Sequence, residues 1–157
     1  MILVLDASVL IDLCHSGLTA LLSNLGKIVI TDLVLFEIDE PLLPEFEAEV
    51  FEFVDVTEIL ALRAEHRSLS LADASAFLCA KELTVQKEVI LLTGDSKLRK
   101  LCKACNIPYH GILWVLDQFL KRGLISPKVA CQALKKILAK DSWLPKEEVN
   151  KRLKAWC

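Results

Sequence analysis

The chain has 157 residues, 54 % of them hydrophobic and 25 % charged, with a formal net charge of −2. This balance excludes a disordered or fibrous protein, and there is no run of 18 apolar residues to cross a membrane. The length suits one domain, 1–157, with a core over about 1–110 and a helical extension over about 111–157.

Asp6 interrupts the first apolar run, and no basic stretch precedes it. No signal peptide is therefore expected, and the cytoplasm is the expected compartment. Six cysteines could make three disulfides by count. Several sit in apolar helical patterns of a chain too long for a small secreted scaffold, so reduced core thiols are expected. Cys102 and Cys105 form a C-x-x-C without a second ligand pair, which argues against zinc. Charge is unevenly spread: residues 1–95 carry 5 Lys/Arg against 17 Asp/Glu, and residues 96–157 carry 14 against 4. An acidic part beside a basic part can hold cations and attract a polyanion; it can equally be a set of solvated helix faces.

The first element is the run Met1-Ile2-Leu3-Val4-Leu5, which has no polar alternation and so suits a strand buried on both faces of a parallel sheet. It ends at Asp6, where open α/β sheets bind ligands and where an Asp also commonly caps a helix. Val9, Leu10 and Leu13, then Leu18, Leu21, Leu22 and Leu25, have helical spacing, with Gly17 dividing two helices and Gly26 ending the second. Lys27–Ile30 reads as a second strand. Thr31 caps a helix reaching about Glu40, stopped by Pro41. Glu37 follows Val34 by three residues and Leu33 by four, so it shares their apolar face. Asp39 and Glu40 are better placed as solvated acids.

Residues 45–49 are acidic and expected to be helical, and Phe51–Val56 alternates like an edge strand. Thr57 and Glu58 open a helix to about His66. Ser70-Leu71-Ala72-Asp73 matches a capping box ahead of a helix over Ala74–Leu83. Val89–Leu92 is a second clear buried strand. It runs into Thr93-Gly94-Asp95-Ser96 and a helix over Lys97–Cys105, repeating the opening design of apolar strand, hydroxyl, carboxylate and helix. Ile107–Tyr109 is a short last strand, with His110 in the turn that follows. Three helices then follow, over 111–121, from Ser126-Pro127 onward, and over 145–155.

Asp6, Glu37, Asp73 and Asp95 are the candidate site acids. Several carboxylates in one place require a cation or a shared proton. All-oxygen ligation selects Mg²⁺ or Mn²⁺. Such an ion can activate water and stabilise a leaving oxygen at phosphorus. Ser8, Thr93 and Ser96 could hydrogen-bond the ligating carboxylates. Lys135 and Lys136 of the basic tail could meet phosphates. All five glycines are isolated, so there is no dinucleotide or Walker loop, and no G-x-S-x-G marks a serine hydrolase.

Asp6-Ala7-Ser8 after a first strand, an acid in the second helical region, Leu71-Ala72-Asp73-Ala74 and Leu92-Thr93-Gly94-Asp95, in this order, resemble the PIN-domain nucleases. The tail from His110 to Ile125 resembles a prokaryotic PIN-like branch. The resemblance implies a Rossmann-like three-layer α/β/α fold with a parallel sheet and a helical C-terminal tail. It also implies a hydrolase: a Mg²⁺- or Mn²⁺-dependent endoribonuclease acting on single-stranded RNA. Asp6, Glu37, Asp73 and Asp95 take the places of its metal-binding, catalytic acids, with Asp39 and Glu40 as competitors of Glu37. Many small PIN proteins are dimeric toxins of toxin–antitoxin pairs, so a homodimer and an antitoxin partner follow as expectations. Ala7, where many toxins carry Thr, and the long basic tail depart from that pattern. A PIN-like module that binds RNA or protein without catalysis is the alternative.

Overall fold

In the computed structural model, residues 1–38, 47–53 and 55–157 are described. They form a five-stranded, wholly parallel sheet in the order β3-β2-β1-β4-β5. The strands are β1 (Ile2–Leu5), β2 (Lys27–Thr31), β3 (Glu49–Phe51), β4 (Val89–Leu92) and β5 (Tyr109–His110). The helices are α1 (Ala7–Ser16), α2 (Asp32–Glu37), α3 (Thr57–Glu65), α4 (Leu71–Leu83), α5 (Ser96–Ala104), α6 (Ile112–Lys121), α7 (Pro127–Ala139) and α8 (Lys146–Trp156). This is the Rossmann-like three-layer α/β/α architecture.

Chain order makes β1 the pivot. The chain leaves β1 towards β2 and β3, then crosses to β4 on β1's other side. Ligands of open parallel sheets collect at such a reversal, beyond the carboxyl ends of the strands. β1 and β4 are covered on both faces, and every one of their residues is buried. That is why they read as unbroken apolar runs. α4 packs against β1, β2 and β4 with α3 and α5 beside it, while α1 lies against α6 and α7. Leu116 and Phe119 of α6, Leu134 and Ile137 of α7 and Val149 of α8 join the same buried cluster as the sheet. The helical tail is thus part of the core wall.

Several expectations change. The second helix of the first crossover is a short 3-10 segment, Thr19–Asn24. Gly17 ends α1 in a left-handed conformation (φ 76°), and Gly26 lies so close to the start of β1 that an added Cβ would be 2.8 Å from the Met1 carbonyl oxygen. The acidic segment expected to be helical is not: Glu47 and Ala48 are irregular, and Glu49 starts β3, drawn out by pairing with Val29. Its residues 45–46 lie outside the described set, as do Asp39, Glu40 and Val54. The cysteines are not all reduced. Cys131 and Cys157 form a disulfide with a Cα–Cα distance of 5.6 Å, because α7 and α8 pack in opposite directions and bring residues 26 apart into contact. The C-x-x-C stays reduced, and burial pushes the Cys102 thiol up to about 12.

Candidate active site

Strand register builds the site. Leu5 pairs with Leu92, and Leu92 with His110, so Asp6, Thr93 and Gly111 follow at the same level of three neighbouring strands. The backbone carries this pairing one step further: Asp6 N–H donates to Leu92 O at 3.0 Å, and Thr93 N–H to His110 O at 2.8 Å. The Thr93 hydroxyl consequently donates a short hydrogen bond to Asp6 Oδ2.

Asp6 is fully buried. Its Oδ1 accepts from the Val9 N–H at 2.9 Å, capping α1, and from the Ser8 hydroxyl at 2.8 Å. Of about four lone-pair positions on a carboxylate, three are taken. Burial still dominates and pushes the Asp6 carboxyl up to about 6, against the hydrogen bonds and with a smaller push from Asp73.

Asp73 arrives on α4. The expected capping box is present: Ser70 Oγ accepts from the Asp73 N–H at 3.0 Å. Two residues on, the Ser75 and Thr31 hydroxyls meet at 2.7 Å, tying α4 to the carboxyl end of β2. Asp73 is raised above the usual carboxylate range, first by burial and then by Asp95, while hydrogen bonding with Ser70 opposes the rise. Asp95 Oδ1 accepts from the Lys97 and Leu98 N–H groups, both at 2.9 Å, and so caps α5.

Asp6, Asp73 and Asp95 line one cleft of about 620 Å³, together with Ser8 and Ser96. Glu37 does not line it. Glu37 is the last residue of α2, with an exposed side chain, although Asp73 adds to the upward push that partial burial gives it. Lys135 and Lys136 are exposed on α7, away from the cleft lining.

Other residues of the cleft escaped the sequence reading. Asp12 follows Ser8 by four residues on α1 and shares its face, a spacing that could have revealed it. It accepts from the Ser142 hydroxyl at 3.0 Å, and burial raises its carboxyl. Arg99 stands in the same relation to Asp95. His110 lies face to face with Trp114, ring centroids 4.4 Å apart, and burial together with Arg99 lowers its imidazole. Trp143, Glu148 and Arg152 come from the tail.

A Rossmann-like protein whose buried and half-buried acids face one cleft at the reversal point of its sheet has the build of a phosphoryl-transfer enzyme. A family model described as a PIN domain matches residues 2–156, and the chain belongs to the PIN-domain family. PIN domains are in general nucleases and typically use divalent metals. No curated protein and no solved structure matched the chain.

The donors fit such an ion in a particular way. They are hard oxygens; Asp73 raises the proton affinity of Asp6 and Asp95 that of Asp73, which a cation would reverse. Among the described residues no three acids, histidines or cysteines stand close enough to form a cage. Magnesium is commonly held through one or two carboxylates with several waters retained, and one or two of Asp6, Asp73 and Asp95 would suit that mode.

Proposed function

We propose that the protein is an endoribonuclease that hydrolyses phosphodiester bonds of single-stranded RNA with the help of Mg²⁺ or Mn²⁺. The observation that carries this reading is the meeting of Asp6, Asp73 and Asp95 on one cleft, in a chain of the PIN family. A divalent ion bound there supplies charge neutralisation and Lewis acidity at the phosphate. The chain supplies the rest. Ser8, Thr93 and the Val9 amide hold Asp6 in one orientation. Asp95 Oδ1 is fixed by two backbone amides, which holds this carboxylate at the cleft. Glu37 stands further out and joins through charge on Asp73. Lys135 and Lys136 add a sequence-independent attraction to phosphates.

The same reading carries a cytoplasmic homodimer, and an antitoxin partner if the protein is a toxin. The toxin role rests on resemblance alone, and Ala7 and the long tail count against it. A second reading has an observation of its own. Asp6 and Asp95 cap helices and Asp73 belongs to a capping box, so all three have structural work without a metal. A non-catalytic RNA- or protein-binding module would need nothing more.

Cleavage of a labelled single-stranded RNA in Mg²⁺ or Mn²⁺ separates the two. Asp6→Asn and Asp95→Asn are each expected to lower the rate at least about 100-fold, as loss of a metal-binding carboxylate does. Equal cutting by the parent and both variants would overturn the nuclease. Calorimetric titration with Mn²⁺ gives the complementary readout: the module predicts no binding at the three acids.

A further inference from the structure

The cleft has a second wall, on which the acid, Glu148, is already paired with Arg152. Trp143 lines it with 83 % of its surface exposed. An indole so bare is a large apolar surface with no partner of its own. It is also held in place. After α7 the chain turns at Asp141, which takes a left-handed conformation (φ 58°), and the next residue, Ser142, is tied to Asp12 of α1. Pro145 then opens α8. Trp143 therefore stands at a set position on the rim of the hollow that contains the acids.

The cations of that wall differ. Arg152 is fully engaged: Nε and Nη2 donate to Asp117 at 3.0 and 2.6 Å, and Nη1 to Glu148 Oε2 at 2.9 Å. Arg99 is not. Its Nε donates to the Thr93 carbonyl at 3.0 Å, and its guanidinium lies over the Tyr109 ring, 5.7 Å from the centroid. Among the described residues it forms no ion pair. Gly111 leaves the space that this guanidinium occupies, since an added Cβ would collide with Nη2. A positioned guanidinium without a carboxylate, one helical turn from Asp95, is suited to a phosphate.

We propose that this wall is a nucleotide subsite, in which Trp143 stacks on an unpaired base and Arg99 holds a neighbouring phosphate. The subsite rests on the single-stranded RNA reading above and gives it a physical cause. A stacking indole needs a base face that no duplex leaves free at its interior, so the requirement for single strands lies in Trp143 rather than in the acids. Stacking is tolerant of sequence because every base has a π face. Trp143 and Arg99 are positioning residues here; the acids do the chemistry.

The test is equilibrium binding in EDTA, where nothing turns over. The probes are a uridine hexanucleotide and an abasic ribose-phosphate hexamer of equal charge. Trp143→Ala is expected to weaken binding of the hexanucleotide about tenfold or more, as loss of one stacked base does. It should leave the abasic hexamer nearly unchanged, and Trp143→Phe should retain most of the affinity. Arg99→Gln is expected to lower the slope of log affinity against log salt by about one on both probes. Unchanged hexanucleotide affinity in Trp143→Ala, or an equal loss on the abasic probe, overturns the stacking role. An unchanged salt slope overturns the phosphate role. A chain that binds through Trp143 yet never cuts RNA supports the subsite and overturns hydrolysis. A chain that cuts RNA while Trp143→Ala binds like the parent overturns the subsite alone.

Discussion

Asp6 caps a helix, accepts two hydroxyls and faces a cleft, all from a fully buried position. Its carboxyl rises from an ordinary 3.8 to about 6, and a tenfold change in proton affinity is worth about 1.4 kcal/mol, so this charge costs the fold about 3 kcal/mol net of its hydrogen bonds. The direction is the reverse of an ion-paired carboxylate. Above about 6 the side chain is charged in folded and unfolded chains alike, and the folded state bears the cost in full. As pH falls from about 6 towards 3.8, the folded protein takes up the proton first and the cost disappears. In EDTA, Asp6→Asn should therefore melt higher than the parent at pH 8, and the gap should narrow towards pH 5. A gap that widened on acidification would mean that Asp6 is stabilised as a carboxylate. Asp6, Asp73 and Asp95 could be picked out of the sequence because each follows a local signal, the end of an apolar run or a capping pattern. Asp12 and Arg99 offered only a four-residue spacing from Ser8 and Asp95, and Trp143 offered no local signal. Their importance comes from α1, α5 and the segment before α8 meeting at one hollow, and no local pattern records that meeting.

Single elements show how far local rules reach. β1 and β4 were legible at once, since four buried residues in a row leave few other solutions. The cap of α4, Ser70, was legible from its capping box, although the helix begins at Leu71 rather than at Ala74. β3 was not, because two of its three residues are exposed and its register comes from β2. α5 offers a separation of two roles held by one side chain. Asp95 caps the helix through Oδ1, and Asn is as good a cap as Asp. Asp95→Asn should lose RNA cleavage while unfolding in urea within about 0.5 kcal/mol of the parent, whereas Asp95→Ala should lose the cleavage and about 1 kcal/mol besides. Equal destabilisation by both substitutions would show that the negative charge itself, rather than the cap, holds this end of α5.

The whole molecule joins an acid-rich half that supplies β1 to β4 to a base-rich half that adds β5 and the last helices. Net charge along the chain suggested this division, but the staple within the second half needed three dimensions to see. The Cys131–Cys157 disulfide closes a loop of 26 residues, which chain entropy values at about 3.5 kcal/mol. Cys131→Ser should therefore lower the melting temperature, and dithiothreitol should lower that of the parent but not of the variant. Equal sensitivity in both would exclude this bond as the cause. The face-to-face contact of His110 with Trp114 has an optical consequence. Imidazolium quenches indole emission far more than neutral imidazole does, and burial, together with Arg99, favours the neutral form of His110. The protein thus carries a built-in fluorophore whose brightness reports the electrical environment of the cleft, with no dye attached.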